Sequence, residues 1–209
     1  MASRSVHGYA MVTILLVASN FLIFFLQALI QPLTSIIALT PTLAFSGYYW
    51  QFFTYMFAHG GIGHVGFNML ALFLFGGVME RLLGWRKFLF LYIASGLASA
   101  GLHIALMGIS NVPLLGASGA VFAVLAAYAY KYPKNILFVF PGIPVPAALL
   151  VAFFVVFEFT SGIFGFQPGI ANFGHLGGII SGLAIMFYWS RTKRKSPIGE
   201  VVEYVWENW

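Results

Sequence analysis

The sequence predicts an all-α membrane protein, in which six membrane-spanning helices form a bundle with a short fourth helix at its centre. Two observations carry this prediction. Of the 209 residues, 61% are hydrophobic and only 7% are charged, whereas about a quarter of the residues of a soluble domain are charged. Apolar runs of about 20 residues, the length that crosses a bilayer, recur along the whole chain.

The six apolar runs cover residues 9–30, 64–79, 88–106, 116–130, 145–161 and 173–188. The first run is too long for the core of a signal peptide, and no small-residue cleavage site follows it, so we expect a retained helix. We therefore assign residues 1–189 to one membrane domain. Residues 190–209 form a C-terminal tail that is basic at first and then amphipathic.

Basic residues predict the orientation of the bundle. All ten lie in the two tails and in the second and fourth loops: Arg4, Arg81, Arg86, Lys87, Lys131, Lys134, Arg191, Lys193, Arg194 and Lys195. Such an excess is typical of cytoplasmic segments, so we expect a multi-pass protein of the cell membrane with both termini in the cytoplasm. The run at residues 191–195 is interpreted as an anchor at lipid headgroups, and no nucleic-acid partner is expected.

Two segments are expected to enter the membrane without crossing it. The fourth run would give roughly 22 Å of helix, which is short of the hydrocarbon core of about 30 Å. Because Lys131 and Lys134 hold its inner end, Ser118 near its outer end should lie below the outer surface. The first loop, residues 31–63, is rich in aromatic residues, and we expect it to be embedded at the outer headgroup boundary.

Small residues indicate which helices pack together. The fourth run is rich in Gly and Ala, and the sixth carries a G-x-x-x-G pair, Gly178 and Gly182, on the face that also holds His175. In lipid, small residues let helix backbones approach each other closely. The histidine is therefore predicted to lie on a helix contact face.

Polar side chains occur at the outward ends of three predicted helices. His64 and Asn68 share one face of the second helix. Ser118 begins the fourth helix, and His175 lies near the start of the sixth. Taken singly, each residue also has a structural interpretation. Asn68 could form a hydrogen bond between helices, His175 could be a buried hydrogen-bonding residue, and Ser118 could be a small packing residue. Four polar residues with unrelated structural roles would have no reason to lie at one depth in the membrane. Together, these four side chains therefore indicate a functional site.

These residues form three motifs that resemble those of the rhomboid intramembrane serine proteases. The motifs are H-x4-H-x3-N at His59, His64 and Asn68, G-x-S-G at Gly116, Ser118 and Gly119, and G-H-x-x-G at Gly174, His175 and Gly178. They occur in the family's order, and the resemblance extends from about residue 9 to 189. It implies a rhomboid-like bundle in which Ser118 is the nucleophile and His175 the general base.

The resemblance also implies the remaining site residues and the reaction. An oxyanion hole would be formed by His64, Asn68 and the backbone N–H of Ser118, with Gly116, Gly119, Phe122 and His59 in supporting positions. The expected activity is cleavage of transmembrane-helix proteins near the outer membrane face, with no cofactor and no metal ion. The alternative is a catalytically silent relative that binds or dislocates membrane proteins, against which the presence of both Ser118 and His175 argues.

The sequence contains no aspartate, so we expect serine and histidine to work as a dyad instead of a triad. Phe122 follows Ser118 by one helical turn and is expected to pack on the ring of His175. Glu158 is the only acid within a predicted span. Its side chain could be a titratable group near the site, or it could reach the outer surface. We expect that it reaches the outer surface.

A metal-dependent protease or a transporter is the third function class. His59 and His64 are five residues apart and lack the adjacent glutamate of an H-E-x-x-H zinc motif. Intramembrane acids that would line a cation path are nearly lacking. We therefore do not expect this class. The substrate and the oligomeric state have no signal in the sequence.

Overall fold

The computed structural model describes residues 10–139, 142–166 and 169–192, and its main elements are helices. The helices of the bundle are α1 (Met11–Leu29), α5 (Ile62–Ala71), α6 (Gly77–Leu83), α7 (Trp85–Met107), α8 (Ser118–Lys131), α9 (Ala147–Phe164) and α10 (Asn172–Thr192). A π-helical turn, Leu72–Gly76, joins α5 and α6 into one helix. The α-helical, multi-pass character expected from composition is confirmed.

Five helices are long and apolar enough to cross a membrane, namely α1, the joined α5 and α6, α7, α9 and α10. The second of these continues past the expected end at residue 79 to Leu83. The fourth predicted run becomes α8, which has only 14 residues. Nine of those residues are buried, and α8 packs against α5, α6, α7, α9 and α10. The short helix therefore occupies the core of the bundle.

The first loop folds into short helices. They are α2 (Leu33–Ile37), α3 (Pro41–Phe45) and α4 (Gln51–Thr54), followed by a 3₁₀ turn at Tyr55–Phe57. The buried amide of Gln51 closes this loop on itself, because its oxygen accepts from Thr40 N–H at 3.0 Å and its nitrogen donates to the carbonyls of Ser35 and Ile36. Tyr55 then ties the loop to α7 by donating its hydroxyl to the Gly96 carbonyl at 2.6 Å.

An antiparallel hairpin connects α8 to α9, where the sequence predicted only a loop. Its strands are β1 (Ile136–Val139) and β2 (Ile143–Pro146), with Ile136 opposite Pro146 and Val139 opposite Ile143. Proline has no N–H to donate, which restricts it to edge strands and strand ends. The two prolines of β2 are the reason that the sequence does not read as a strand here.

Glycine contacts hold α8 against α10, as the G-x-x-x-G pair predicted. A Cβ atom on Gly178 would collide with the backbone of Gly119, and one on Gly182 would collide with the backbone of Ala123. The two helices thus touch backbone to backbone over two turns. Only glycine on α10 permits this separation.

The bundle has a basic end and an opposite end that carries the motif residues. Lys87 at the start of α7 lies over the ring of Trp189 near the end of α10, and the Tyr130 hydroxyl near the end of α8 contacts Ser190 Oγ at 2.9 Å. The ends of α8 and α10 therefore lie at the level of the α7 start. Ser118 and His175 begin these same two helices and so lie at the other end. The predicted tail helix and Arg4 fall outside the described residues.

Glu80 stabilises the start of α1 from a neighbouring helix. Its buried carboxylate accepts the N–H groups of Val12 at 2.9 Å and Thr13 at 2.7 Å, and the Thr13 hydroxyl at 2.8 Å. The first N–H groups of a helix have no partner within it, and the positive end of the helix dipole favours a carboxylate. Glu80 therefore has a structural role.

Replacing Glu80 by Gln should lower the stability of the protein. The amide keeps one acceptor oxygen but turns its NH₂ group toward buried N–H donors, which costs about 1–3 kcal/mol. Thermal unfolding in detergent measures this loss. Thr13→Val removes only one of the three hydrogen bonds and should cost less, and an unchanged midpoint in Glu80→Gln would show that the carboxylate does not hold α1.

Candidate active site

Ser118 and His175 are brought into contact by the first turns of α8 and α10. The Nε2 atom of His175 lies 2.8 Å from Ser118 Oγ, which is hydrogen-bond distance. The histidine side chain is 13% exposed, so it is largely buried. A nucleophile and a base at this separation are the minimum that hydroxyl activation requires.

The segment that leads into α8 is fixed by backbone contacts with the first loop. Leu114 and Leu39 exchange both backbone hydrogen bonds, and Gly116 N–H donates to the Tyr55 carbonyl at 3.0 Å. Gly116 has a φ of +122° and lies directly under the ring of His64, where a Cβ atom would collide. Glycine is required at this position for both reasons.

His59 links the first loop to the start of α8. Its Nδ1 lies 3.3 Å from the Phe57 carbonyl, and its Nε2 lies 3.4 Å from the backbone N of Ala117. A neutral ring with hydrogen on Nδ1 satisfies both partners. His59 lies outside the membrane-spanning helices, and burial lowers the pKa of its imidazole to about 4. His59 therefore acts as a neutral brace beside Ser118.

His64 and Asn68 lie on the first turns of α5, beside this brace. The rings of His59 and His64 meet edge to face with centroids 5.0 Å apart, and the Nδ1 of His64 accepts from Gly60 N–H at 3.4 Å. The amide of Asn68, which is 6% exposed, donates one hydrogen to the His64 carbonyl at 3.0 Å. An amide NH₂ has a second hydrogen to donate.

Aromatic packing fixes the plane of the His175 ring. The rings of Phe122 and His175 have centroids 4.7 Å apart at an interplanar angle of 33°. Phe154 of α9 packs edge-on against Phe122, with ring centroids 5.1 Å apart. The imidazole is thus held between the serine hydroxyl and an apolar face.

Glu158 contacts His175 on the side away from Ser118. One carboxylate oxygen lies 3.0 Å from Nδ1 of His175, and the other accepts a hydrogen bond from the side chain of Asn172 at 2.7 Å. Glu158 is 4% exposed, so the expectation that it reaches the outer surface is wrong. The contact depends on the rotation of α9 about its axis, and residue spacing alone gave no measure of that rotation. Asn172 was also missed.

His59, His64 and His175 each contact protein partners. Within residues 10–139, 142–166 and 169–192, no three His, Cys, Asp or Glu side chains are grouped so that they could hold a metal ion. The motif side chains form hydrogen bonds with one another and with the backbone at the start of α8.

Comparison with known proteins identifies the relatives of this site. A family model described as the rhomboid domain matches residues 46–192, which is most of the chain. The chain belongs to the rhomboid family. All three motifs lie within the matched residues.

Several curated rhomboid proteins are similar to the chain. It is 31% identical to the rhomboid protease GluP of Bacillus subtilis over 182 residues, which are 84% of this chain and 34% of that protein. It is 34% identical to the mitochondrial rhomboid protein 1 of Saccharomyces cerevisiae over 66% of this chain and 41% of that protein. The chain thus spans between a third and about two fifths of these two longer relatives.

A third relative is closer to this chain in length. The rhomboid protease GlpG of Haemophilus influenzae is 31% identical over 147 residues, which are 70% of this chain and 73% of that protein. The similarity therefore extends over most of a rhomboid protein of comparable size. Membership of the rhomboid family agrees with the multi-pass membrane architecture of the fold.

A side chain at Gly178 should separate Ser118 from His175. The Cβ atom of Gly178→Ala would meet the backbone of Gly119, so α10 must move away from α8. A displacement of about 1 Å costs on the order of 100-fold in rate, and such overpacking costs roughly 1–3 kcal/mol of stability. Cleavage assays and thermal unfolding measure the two effects.

The matched control is Gly101→Ala on α7, where an added Cβ has nothing within 4 Å. This variant should keep parental activity and at least parental stability, because alanine favours a helix over glycine. If Gly178→Ala behaved in the same way, the close approach of α8 and α10 would not set the geometry of the site.

Proposed function

We propose that the chain is an intramembrane serine endopeptidase that cleaves transmembrane-helix proteins near the outer membrane face. The 2.8 Å contact between Ser118 Oγ and His175 Nε2 is the observation that carries the proposal. Relatives named as rhomboid proteases support it. The reaction needs no cofactor, and the substrate is a second protein in the same bilayer.

The proposed reaction proceeds in two halves through a Ser-His dyad. Ser118 Oγ bonds to the carbonyl carbon of the scissile peptide while its proton moves to His175 Nε2, and the carbonyl oxygen becomes an oxyanion. Collapse of this intermediate breaks the C–N bond, and the proton on Nε2 passes to the leaving amine. Water then repeats the sequence on the acyl-enzyme and releases the acid product.

The oxyanion is proposed to lie among donors at the start of α8. The first N–H groups of a helix have no partner within it and carry the positive end of the helix dipole, which supports the backbone N–H of Ser118 as one donor. His64 and Asn68 are the proposed side-chain donors. The ring of His64 lies over Gly116, and the amide of Asn68 has a second hydrogen to donate besides the one bound to the His64 carbonyl. Donors fixed in advance stabilise developing charge most where water is scarce.

We propose that the motif end faces outward and that both termini are cytoplasmic. The basic residues around the junction of α6 and α7 and at residues 191–195 support this orientation, because basic segments stay in the cytoplasm. Six crossings, with α8 as the short one, agree with this orientation, because an even number of crossings places both termini on the same side. Exposed aromatic side chains of the first loop, among them Tyr49 and Trp50, suit a headgroup boundary. Two relatives are named as mitochondrial, and the distribution of basic residues is the observation that supports the cell membrane.

The catalytic roles are tested by removing each partner of the dyad. Ser118→Ala and His175→Ala should each abolish cleavage of a model transmembrane substrate in proteoliposomes while leaving the thermal unfolding midpoint near that of the parent. A fluorophosphonate probe, which reacts only with an activated serine, should label the parent and not Ser118→Ala. Substantial turnover by either variant, or equal labelling of both proteins, would exclude the assignment and favour a silent binding protein.

The proposed oxyanion donors should act on rate and not on substrate affinity. Asn68→Ala and His64→Ala should each lower kcat by roughly 10- to 1000-fold with little change in KM, because such hydrogen bonds strengthen in the transition state. Steady-state kinetics in proteoliposomes measure both constants. Asn111→Ala, in the exposed segment before α8, is the control and should leave both unchanged. A loss of kcat that merely followed a loss of thermal stability would assign Asn68 to helix packing.

A further inference from the structure

Glu158 is a buried carboxylate whose two visible partners both lie in the first turn of α10. Asn172 and His175 are three residues apart and therefore project from one face of that helix, toward α9. Oε2 of Glu158 accepts from the Asn172 amide at 2.7 Å, and Oε1 lies 3.0 Å from His175 Nδ1. A carboxylate away from water is costly unless it is paired and hydrogen-bonded. The two contacts supply that compensation.

The contact to His175 is short but bent. Oε1 lies off the N–H direction of Nδ1, so the pair lacks the alignment of a good hydrogen bond. Hydrogen bonds in unliganded active sites are commonly poorly aligned and tighten when substrate binds. The distance itself leaves no room for another group between the carboxylate and the ring.

The two nitrogens of His175 then have different partners. Nε2 faces the Ser118 hydroxyl and must lack hydrogen in order to accept its proton, so the hydrogen of the neutral ring must be on Nδ1. A carboxylate can only accept hydrogen bonds, and it therefore selects this tautomer at Nδ1. The chain runs Ser118, His175, Glu158, Asn172, with each contact at 3.0 Å or less.

We propose that Glu158 is a positioning residue for His175, which extends the proposed Ser-His dyad to a Ser-His-Glu triad anchored by Asn172. The inference rests on the proposed protease function. As the bond from Ser118 Oγ to the carbonyl carbon forms, the hydroxyl proton moves to Nε2 of His175, and Nδ1 keeps its own proton. Glu158 stays a carboxylate throughout and stabilises the positively charged imidazolium until Nε2 delivers its proton to the leaving amine.

The decisive variant is Glu158→Gln in the full chain, assayed in proteoliposomes with a model transmembrane substrate. We expect kcat to fall by roughly 10- to 1000-fold with KM nearly unchanged, since an amide can donate to Nδ1 and so select the wrong tautomer. The unfolding midpoint should stay near that of the parent, because the amide oxygen can still accept from Asn172. Fluorophosphonate labelling should slow in step with kcat.

Two further variants separate positioning from packing. Glu158→Asp keeps the charge on a shorter side chain and should retain more activity than Glu158→Gln. Asn172→Ala should lower kcat less than Glu158→Gln does and should add little in the Glu158→Gln background, because it acts through the same carboxylate. The matched control is Glu80→Gln, which alters the other buried glutamate of the described residues and should lower stability without a selective loss of kcat.

Each outcome bears on the inference. A parental kcat in Glu158→Gln would overturn it, and so would a loss of kcat that follows the loss of folded protein as in Glu80→Gln, since that result assigns Glu158 to a tie between α9 and α10. If Glu158→Gln does not fold, Glu158→Asp and Asn172→Ala decide: reduced kcat at a parental midpoint supports the inference, and parental kcat in both overturns it.

Failure of the proposed function would look different. In that case the parent itself would neither cleave substrate nor react with the fluorophosphonate probe. An active parent together with a fully active Glu158→Gln variant would overturn the positioning role alone.

Discussion

The backbone contact between α8 and α10 is the constraint on which the site depends. Helices in lipid gain no hydrophobic free energy by associating, so close packing of their surfaces must hold them together. Gly178 lies on Gly119 and Gly182 lies on Ala123, with no space for a Cβ atom on α10. Ser118 and His175 belong to the first turns of the same two helices, so this contact also sets the 2.8 Å distance between their side chains.

A second constraint fixes the segment that precedes α8, and it begins on α1. The amide of Gln27 binds both backbone groups of His59, accepting from its N–H at 3.0 Å and donating to its carbonyl at 3.2 Å. His59 in turn accepts from Ala117 N–H. Irregular backbone at membrane depth is stable only when protein or water satisfies its polar groups. Helix α1 and the first loop thus supply partners that lipid could not.

The sequence predicted features that depend on spacing within one helix. The short α8, the G-x-x-x-G contact of Gly178 and Gly182, and the grouping of the motif residues at one end are of this kind. Features that depend on how one helix is rotated against another could not be predicted. Helix α9 is apolar on all sides, so its sequence has no amphipathic period to show which face is buried. The inward position of Glu158 was missed for that reason, and its partner Asn172 lies beyond a connecting loop.

The buried and exposed residues of helix α9 show how its end near His175 is held in place. Its buried residues are Ala147 and Val151 toward the hairpin and Glu158 and Ser161 toward the motif end, while large side chains such as Phe153 and Phe159 are exposed. In a bilayer those exposed groups meet acyl chains, so the motif end of α9 is held by its inward contacts, which include the ring of Phe173 against Gly162. The polar contacts of Glu158 with Asn172 and His175 also join α9 to α10 at this end, beside the proposed base. Any outward displacement of this end of α9 would withdraw the carboxylate from Nδ1, so the position of α9 and the proposed orientation of His175 are linked through Glu158.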